Sequence, residues 1–76
     1  MKKLVSFLIK SIAKYPDSVH IAENNNNGNI IFEVKVNEKD RGRIIGKKGK
    51  TIKAIRHLIK ISAANNKKRA SVELIE

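Results

Sequence analysis

Apolar and polar positions alternate with two different periods along this chain, and each change of period marks a new element. Between Lys2 and Lys14, the residues Leu4, Val5, Leu8, Ile9 and Ile12 recur at helical spacing and fall on one side at ~100° per residue. That stripe predicts an amphipathic helix packed on a core. Phe7 points away from it and is either a rim residue or part of a contact surface. The helix should stop near Tyr15, because Pro16 disfavours helical geometry in the residue before it. Val19 and Ile21 then alternate with His20 and Ala22, and after Asn24 to Asn27 and Gly28 the alternation resumes with Ile30, Phe32, Val34 and Val36. This pattern predicts an antiparallel hairpin with one buried face, the Asn-rich stretch forming its turn.

Beyond the hairpin, Asn37 or Glu38 can start a short helix to about Ile45, weakened by Gly42. Gly46-Lys47-Lys48-Gly49 interrupts it. A second helix from about Lys50 to Ala64 places Ile52, Ile55, Ile59 and Ala63 on one face, and Asn65 and Asn66 can end it. Ala70, Val72 and Leu74 alternate with Ser71, Glu73 and Ile75 as a closing strand. The predicted order is α-β-β-α-α-β in an α+β domain. Residues 1–76 contain no internal repeat and no linker long enough to divide them, so a single domain is expected, one that hides only roughly 60% of its unfolded surface.

Charge changes the picture by its position. The chain has 17 Lys and Arg against 7 Asp and Glu, a formal net charge of +10. Residues 1–38 are nearly balanced at +1, whereas residues 39–69 hold twelve basic groups and one acid, Asp40. Such a block concentrates polyanions and is the electrostatic footprint of a nucleic-acid binder. The opening MKKLVSFLIK imitates the basic and apolar regions of a secretory signal, but Lys10 breaks the apolar run and no cleavage-like site follows. No run approaches the ~20 apolar residues of a membrane span, so no membrane insertion is expected. With no cysteine, thiolate metal sites and disulfides are excluded, and a reducing cytoplasm is the default location.

Catalytic chemistry finds little support. Gly49-Lys50-Thr51 ends like a nucleotide-binding P-loop, but the first glycine of that loop falls at position 44, which is Ile, and Gly42 and Gly46 miss the register. The two histidines, His20 and His57, stand on different elements without metal-ligand spacing. Asp17 and Asp40 lack an evident catalytic partner, and no serine lies in a nucleophile motif. No enzyme activity, metal or cofactor is expected.

A strand-holding role fits better. Two glycines separated by two residues between helices let the backbone approach a phosphate chain, and the helix that follows opens with free N–H groups and the positive end of its dipole. Lys47 and Lys48 add charge there. The frame Ile44-Ile45-Gly46-x-x-Gly49-x-x-Ile52-x-x-Ile55 resembles the signature of KH domains, whose GXXG loop clamps about four nucleotides of single-stranded RNA or DNA. The element order, with its βααβ unit last, resembles the type II KH arrangement, which implies a three-stranded mixed sheet with helices packed on one face. From MKKLVSFLIK through DRGRIIGKKGKTIKAIRHLIK to RASVELIE, the chain resembles the small bacterial KhpA-type (YlqC-like) proteins.

The resemblance implies a single-stranded RNA partner and assigns the grip to Gly46, Lys47, Lys48 and Gly49. Ile44 and Ile45 become groove-floor residues or plain core, core being the stronger reading for Ile45. Arg41, Arg43, Lys50 and Lys53 are further phosphate contacts, while Arg56 and Lys60 are either contacts or a solvated face. On the second helix Ala54, His57, Leu58 and Ile61 fall to one side of the core stripe and form either a dimer contact or scattered exposed residues. KhpA-type proteins are homodimers and partners of a larger KH-domain protein, which fits such a patch. Two classes of function follow: a non-enzymatic RNA-binding protein acting as RNA chaperone or post-transcriptional regulator, or an interaction module in which RNA binding is secondary.

Overall fold

The computed structural model describes residues 1–75. Helix α1 (Lys2–Ile12) leads through a single 3-10 turn into strands β1 (His20–Asn26) and β2 (Asn29–Lys35). A second 3-10 turn precedes helix α2 (Arg41–Ile45), the GKKG loop follows, and helix α3 (Lys50–Asn65) and strand β3 (Arg69–Ile75) complete the chain. The strands form one mixed sheet in the order β1-β2-β3, with β1 antiparallel and β3 parallel to β2. A parallel neighbour requires a crossover, and α2 and α3 provide it.

Val5 and Ile9 of α1, Ile44 of α2, and Ile52, Ile55, Ile59 and Ala63 of α3 bury against Ile30, Phe32 and Val34 of β2 and Ala70 and Val72 of β3. The period of two in β2 is the cause: its odd partners, such as Asn29 and Lys35, point to the outer, solvated face. Phe32 is the one aromatic ring fully enclosed among the described residues. No described helix is long and apolar enough to cross a membrane.

Three expectations need correction. First, α1 ends at Ile12 rather than near Tyr15, and Ala13 is already extended. The N–H groups of Lys14 and Tyr15 donate instead to the two carboxylate oxygens of Asp40, at 3.0 and 2.9 Å, which removes the need for another helical turn. Second, the Asn stretch is mostly strand. Asn24, Asn25 and Asn26 pair with Ile31, Ile30 and Asn29, and only Asn27 and Gly28 turn the chain. Both have positive φ, 52° and 85°, as a tight two-residue hairpin turn of the primed type requires. Third, β1 has no continuous buried face. Val19 is buried just before the strand, Ile21 is half-buried, and the rest of β1 is an exposed edge.

Candidate nucleic-acid interface

The approach to the GKKG loop is anchored by polar contacts. Asn37 accepts from the Lys39 N–H through its side chain at 2.9 Å, capping the 3-10 turn that leads to α2. Asp40 closes that turn with its side chain only 1% exposed. Its carboxylate accepts the two N–H groups that follow α1, and Arg43 stands 3.8 Å away. This buried acid therefore fastens the base of α2 to the end of α1. The sequence offered no signal for that role, because the partners are backbone groups more than twenty residues away.

Helix α2 lasts five residues, and the Gly46 N–H closes it on the Gly42 carbonyl at 2.9 Å. Gly46 then takes φ 78° and ψ 173°, a region that is essentially glycine-only. A Cβ at this position would overlap the Thr51 side chain and lie 2.9 Å from the Thr51 nitrogen. Lys48 (φ 56°) and Gly49 (φ 74°) are also left-handed, and the Gly49 N–H returns to the Gly46 carbonyl at 3.1 Å. The loop is thus wound tightly against the first turn of α3, with Lys47 and Lys48 exposed at its tip. Helix α3 begins at Lys50 without a side-chain cap; the Lys50 N–H returns to the Lys47 carbonyl, and the positive end of the helix dipole lies beside those lysines.

The basic residues divide into two sets. Lys47, Lys48, Lys50 and Lys53 are exposed, and the one ion pair within 4.0 Å among the described residues is Arg43–Asp40. Two of the arginines are tied down. Arg41 Nη1 donates to the Ile75 carbonyl at 2.8 Å, and Arg56 Nε donates to the Val72 carbonyl at 3.0 Å. Both acceptors lie on β3, an edge strand. Together these bonds align β3 with α2 and α3 along the side that carries Lys53, Arg56 and Lys60. Arg56, which helical spacing alone left undecided, belongs to this side.

The two isoleucines before the loop exchange their expected places. Ile44 is fully buried and belongs to the core, so it offers no surface to a ligand, whereas Ile45 is 37% exposed at the end of α2. A five-residue helix is too short for periodicity to decide between adjacent apolar positions. On α3, Ala54 and His57 are exposed and Leu58 and Ile61 remain 48% and 47% exposed. Phe7 on α1 is 68% exposed, so this aromatic ring too is turned to solvent. The described residues contain no group of three His, Cys, Asp or Glu placed to hold a metal.

Comparison with known proteins places this arrangement. The chain is 42% identical over 76 residues to the RNA-binding protein KhpA of Chlamydia caviae, covering all of this chain and 97% of that protein. It is 43% identical over 75 residues to the RNA-binding protein KhpA of Clostridium acetobutylicum, covering 99% of this chain and 100% of that protein. Among solved structures, Aquifex aeolicus Era bound to GDP and aluminium fluoride superposes with a TM-score of 0.66 at 21% identity, over 95% of this chain and 28% of the Era chain. That likeness concerns the fold. The family profile described as KhpA/KhpB, KH domain, matches residues 2–74, and with the type II order, the GKKG loop and full-length relatives in agreement, the chain belongs to the KhpA/KhpB KH-domain family.

Proposed function

We propose that the protein is a non-enzymatic single-stranded RNA-binding protein that grips the phosphate backbone with Gly46, Lys47, Lys48 and Gly49. The observation that carries this reading is the loop itself. Gly46 occupies a conformation and a space that only glycine fits, and the resulting turn holds two exposed lysines over the uncapped start of a 16-residue helix. Lys50 and Lys53 extend the positive surface, and Ile45 supplies apolar contact beside the loop. Ile44 supports the site from the core. The naming of the relatives as RNA-binding proteins, at close to full length, supports the same reading.

Binding of this kind is driven by phosphate charge, backbone N–H groups and aliphatic contact. Phe32 is buried, so no aromatic platform of the kind used by other RNA-binding folds stands on the sheet. Weak sequence preference and steep salt dependence follow. The site of action is then the cytoplasm, where a chaperone or post-transcriptional regulator meets its RNA. Replacing Lys47→Asp together with Lys48→Asp reverses the charge at an exposed loop tip and is expected to abolish binding of labelled single-stranded RNA. Unchanged affinity alongside a native circular dichroism spectrum would refute the reading.

A second surface is favoured by the exposure of Leu58 and Ile61 on one flank of α3. Ala54, His57, Leu58 and Ile61 form a contact for a second copy of the chain or for a larger KH-domain protein. For a dimeric protein, Ile61→Lys is expected to halve the mass measured by sedimentation, and an unchanged mass counts against the patch. Crosslinking in cells with sequencing of attached RNA separates an RNA binder from a pure interaction module, since the latter yields nothing above background.

A further inference from the structure

Two of the three aromatic rings in the chain stand outside the core, and both belong to its N-terminal part. Phe32 is enclosed, whereas Phe7 is 68% and Tyr15 36% exposed. The same stretch is basic: residues 1–14 hold four lysines, Lys2, Lys3, Lys10 and Lys14, and no acid, an excess that the near balance of residues 1–38 conceals. At ~100° per residue, Lys3, Phe7 and Lys10 fall within about 60° of one another on α1, roughly opposite Val5 and Ile9, which meet the core. All three are exposed, and no carboxylate lies within 4.0 Å of either lysine among the described residues. The outermost face of α1 is thus a ring flanked by two free cations.

The end of α1 is joined to the approach to the GKKG loop. The Lys14 N–H donates to Asp40 Oδ1 at 3.0 Å, and Arg43 Nε stands 3.8 Å from that same oxygen. Asp40 is only 1% exposed, so it draws basic residues of two elements together while its own charge stays covered. Arg43 keeps 57% of its side chain in solvent, and Lys14 Nζ lies 5.9 Å from the centroid of the Tyr15 ring. The five residues of α2 span about 7.5 Å at 1.5 Å per residue, which is all that separates this junction from the loop. Within residues 1–22 the one acid is Asp17, in the 3-10 turn beyond Tyr15.

We infer that Lys3, Phe7 and Lys10 form a second contact for single-stranded RNA, where a base stacks on the Phe7 ring and the lysines take the flanking phosphates, the strand arriving from the GKKG loop across Arg43 and Lys14. The inference rests on the RNA-binding reading above and extends it to α1, which the loop's grip does not use. Charge complementarity selects the occupant. An aromatic ring set between cations matches the alternation of base and phosphate in a single strand, since stacking and backbone charge together hold such chains. A protein partner seated on Phe7 would instead bury Lys3 and Lys10, and taking those charges out of water is costly. A single exposed apolar side chain with no partner is the competing explanation.

The chain has no tryptophan, so Phe7→Trp places a single fluorescent reporter at the contact. It is titrated with single-stranded RNAs of about four and about twelve nucleotides. The long RNA is expected to quench the reporter by stacking on it, and the short RNA, which fills the loop alone, to leave it unchanged. Phe7→Ala is expected to lower affinity for the long RNA about tenfold, through the loss of one stacked base. Lys3→Gln with Lys10→Gln is expected to shrink the slope of log K against log salt by about 1.4 units, from two lost phosphate contacts at ~0.7 each. Inorganic polyphosphate carries the charge without bases and should bind wild type and Phe7→Ala alike, with equal thermal midpoints as the control for folding. An unquenched reporter, together with wild-type affinity and slope in both variants, overturns the α1 contact and leaves the loop's grip standing. An equal loss of polyphosphate and RNA affinity in Phe7→Ala overturns the stacking, and a lower sedimentation mass with unchanged RNA affinity overturns it in favour of a protein interface. If the wild-type protein binds neither RNA, the underlying RNA-binding reading fails as well.

Discussion

The two glycines of the GKKG loop look equivalent in the sequence, yet alanine should affect them unequally. At Gly49 the backbone is left-handed, φ 74° and ψ 13°, and an added Cβ meets nothing within 4 Å. The cost there is conformational only, about 1–2 kcal/mol for an L-residue in that region. At Gly46 the backbone lies at φ 78° and ψ 173°, where a side chain costs about 1–3 kcal/mol. The same Cβ must also displace Thr51, whose nitrogen lies 2.9 Å from its position in the first turn of α3. Forcing extra volume into a packed contact adds about 1–3 kcal/mol. Gly46→Ala should therefore lose about 4 kcal/mol, against about 1.5 for Gly49→Ala. A domain of this size shifts its melting temperature by about 4–8 °C per kcal/mol, so the two variants should separate by roughly 10–20 °C. Urea denaturation followed by circular dichroism, with the thermal midpoint as a second measure, reads the difference. Equal losses at the two glycines would show that Thr51 does not hold the loop, and the reasoning would be wrong.

The other expectations follow from burial and hydrogen bonding. Ile44→Ala empties a fully buried site and should cost about 3 kcal/mol, whereas Ile45→Ala should cost under about 1 kcal/mol and weaken RNA binding instead. Chemical denaturation and an RNA titration of the same two proteins check both halves. In Asp40→Asn one oxygen is replaced by an amide donor that faces a backbone N–H, so a charge-assisted hydrogen bond is lost and a donor is left unsatisfied. The expected loss is about 2–3 kcal/mol in urea, and a variant as stable as wild type would remove Asp40 from its anchoring role.

Elements were legible in the sequence wherever the signal was local. The helical stripe of Ile52, Ile55 and Ile59 and the alternation of Ile30, Phe32 and Val34 lead directly to α3 and β2, because a period of 3.6 or 2 is written in neighbouring residues. The spacing of Gly46 and Gly49 is local too, and the loop falls where it was expected. Tertiary contacts decided the rest. Asn24 to Asn26 have the composition of a turn but lie in register with β2, which draws them into a strand. Asp40, Arg41 and Arg56 each spend their side chains on backbone groups 16 to 34 residues away, and no spacing rule reports such a pairing. Arg41 was expected only as a phosphate contact, and its bond from Nη1 to the Ile75 carbonyl, which closes the end of β3, had no local signal.

Helix α3 explains how one small domain can carry both proposed surfaces. At ~100° per residue, Ile52, Ile55, Ile59 and Ala63 occupy the core face, and Arg56, Lys60 and Lys53 follow on one flank. The bond from Arg56 to the Val72 carbonyl shows that this flank borders β3. Thr51 and Leu58 follow on the other flank, and Ala54, His57 and Ile61 lie on the outward face, roughly opposite the buried stripe. A strand lying along Lys53, Arg56 and Lys60 leaves Leu58 and Ile61 uncovered, and a second protein seated on Ile61 leaves the GKKG loop open. The arrangement favours joint occupancy over competition. Two copies joined through Ile61 would offer two basic tracks to one RNA, and binding at the second track then becomes intramolecular, raising affinity for long RNA without any new contact.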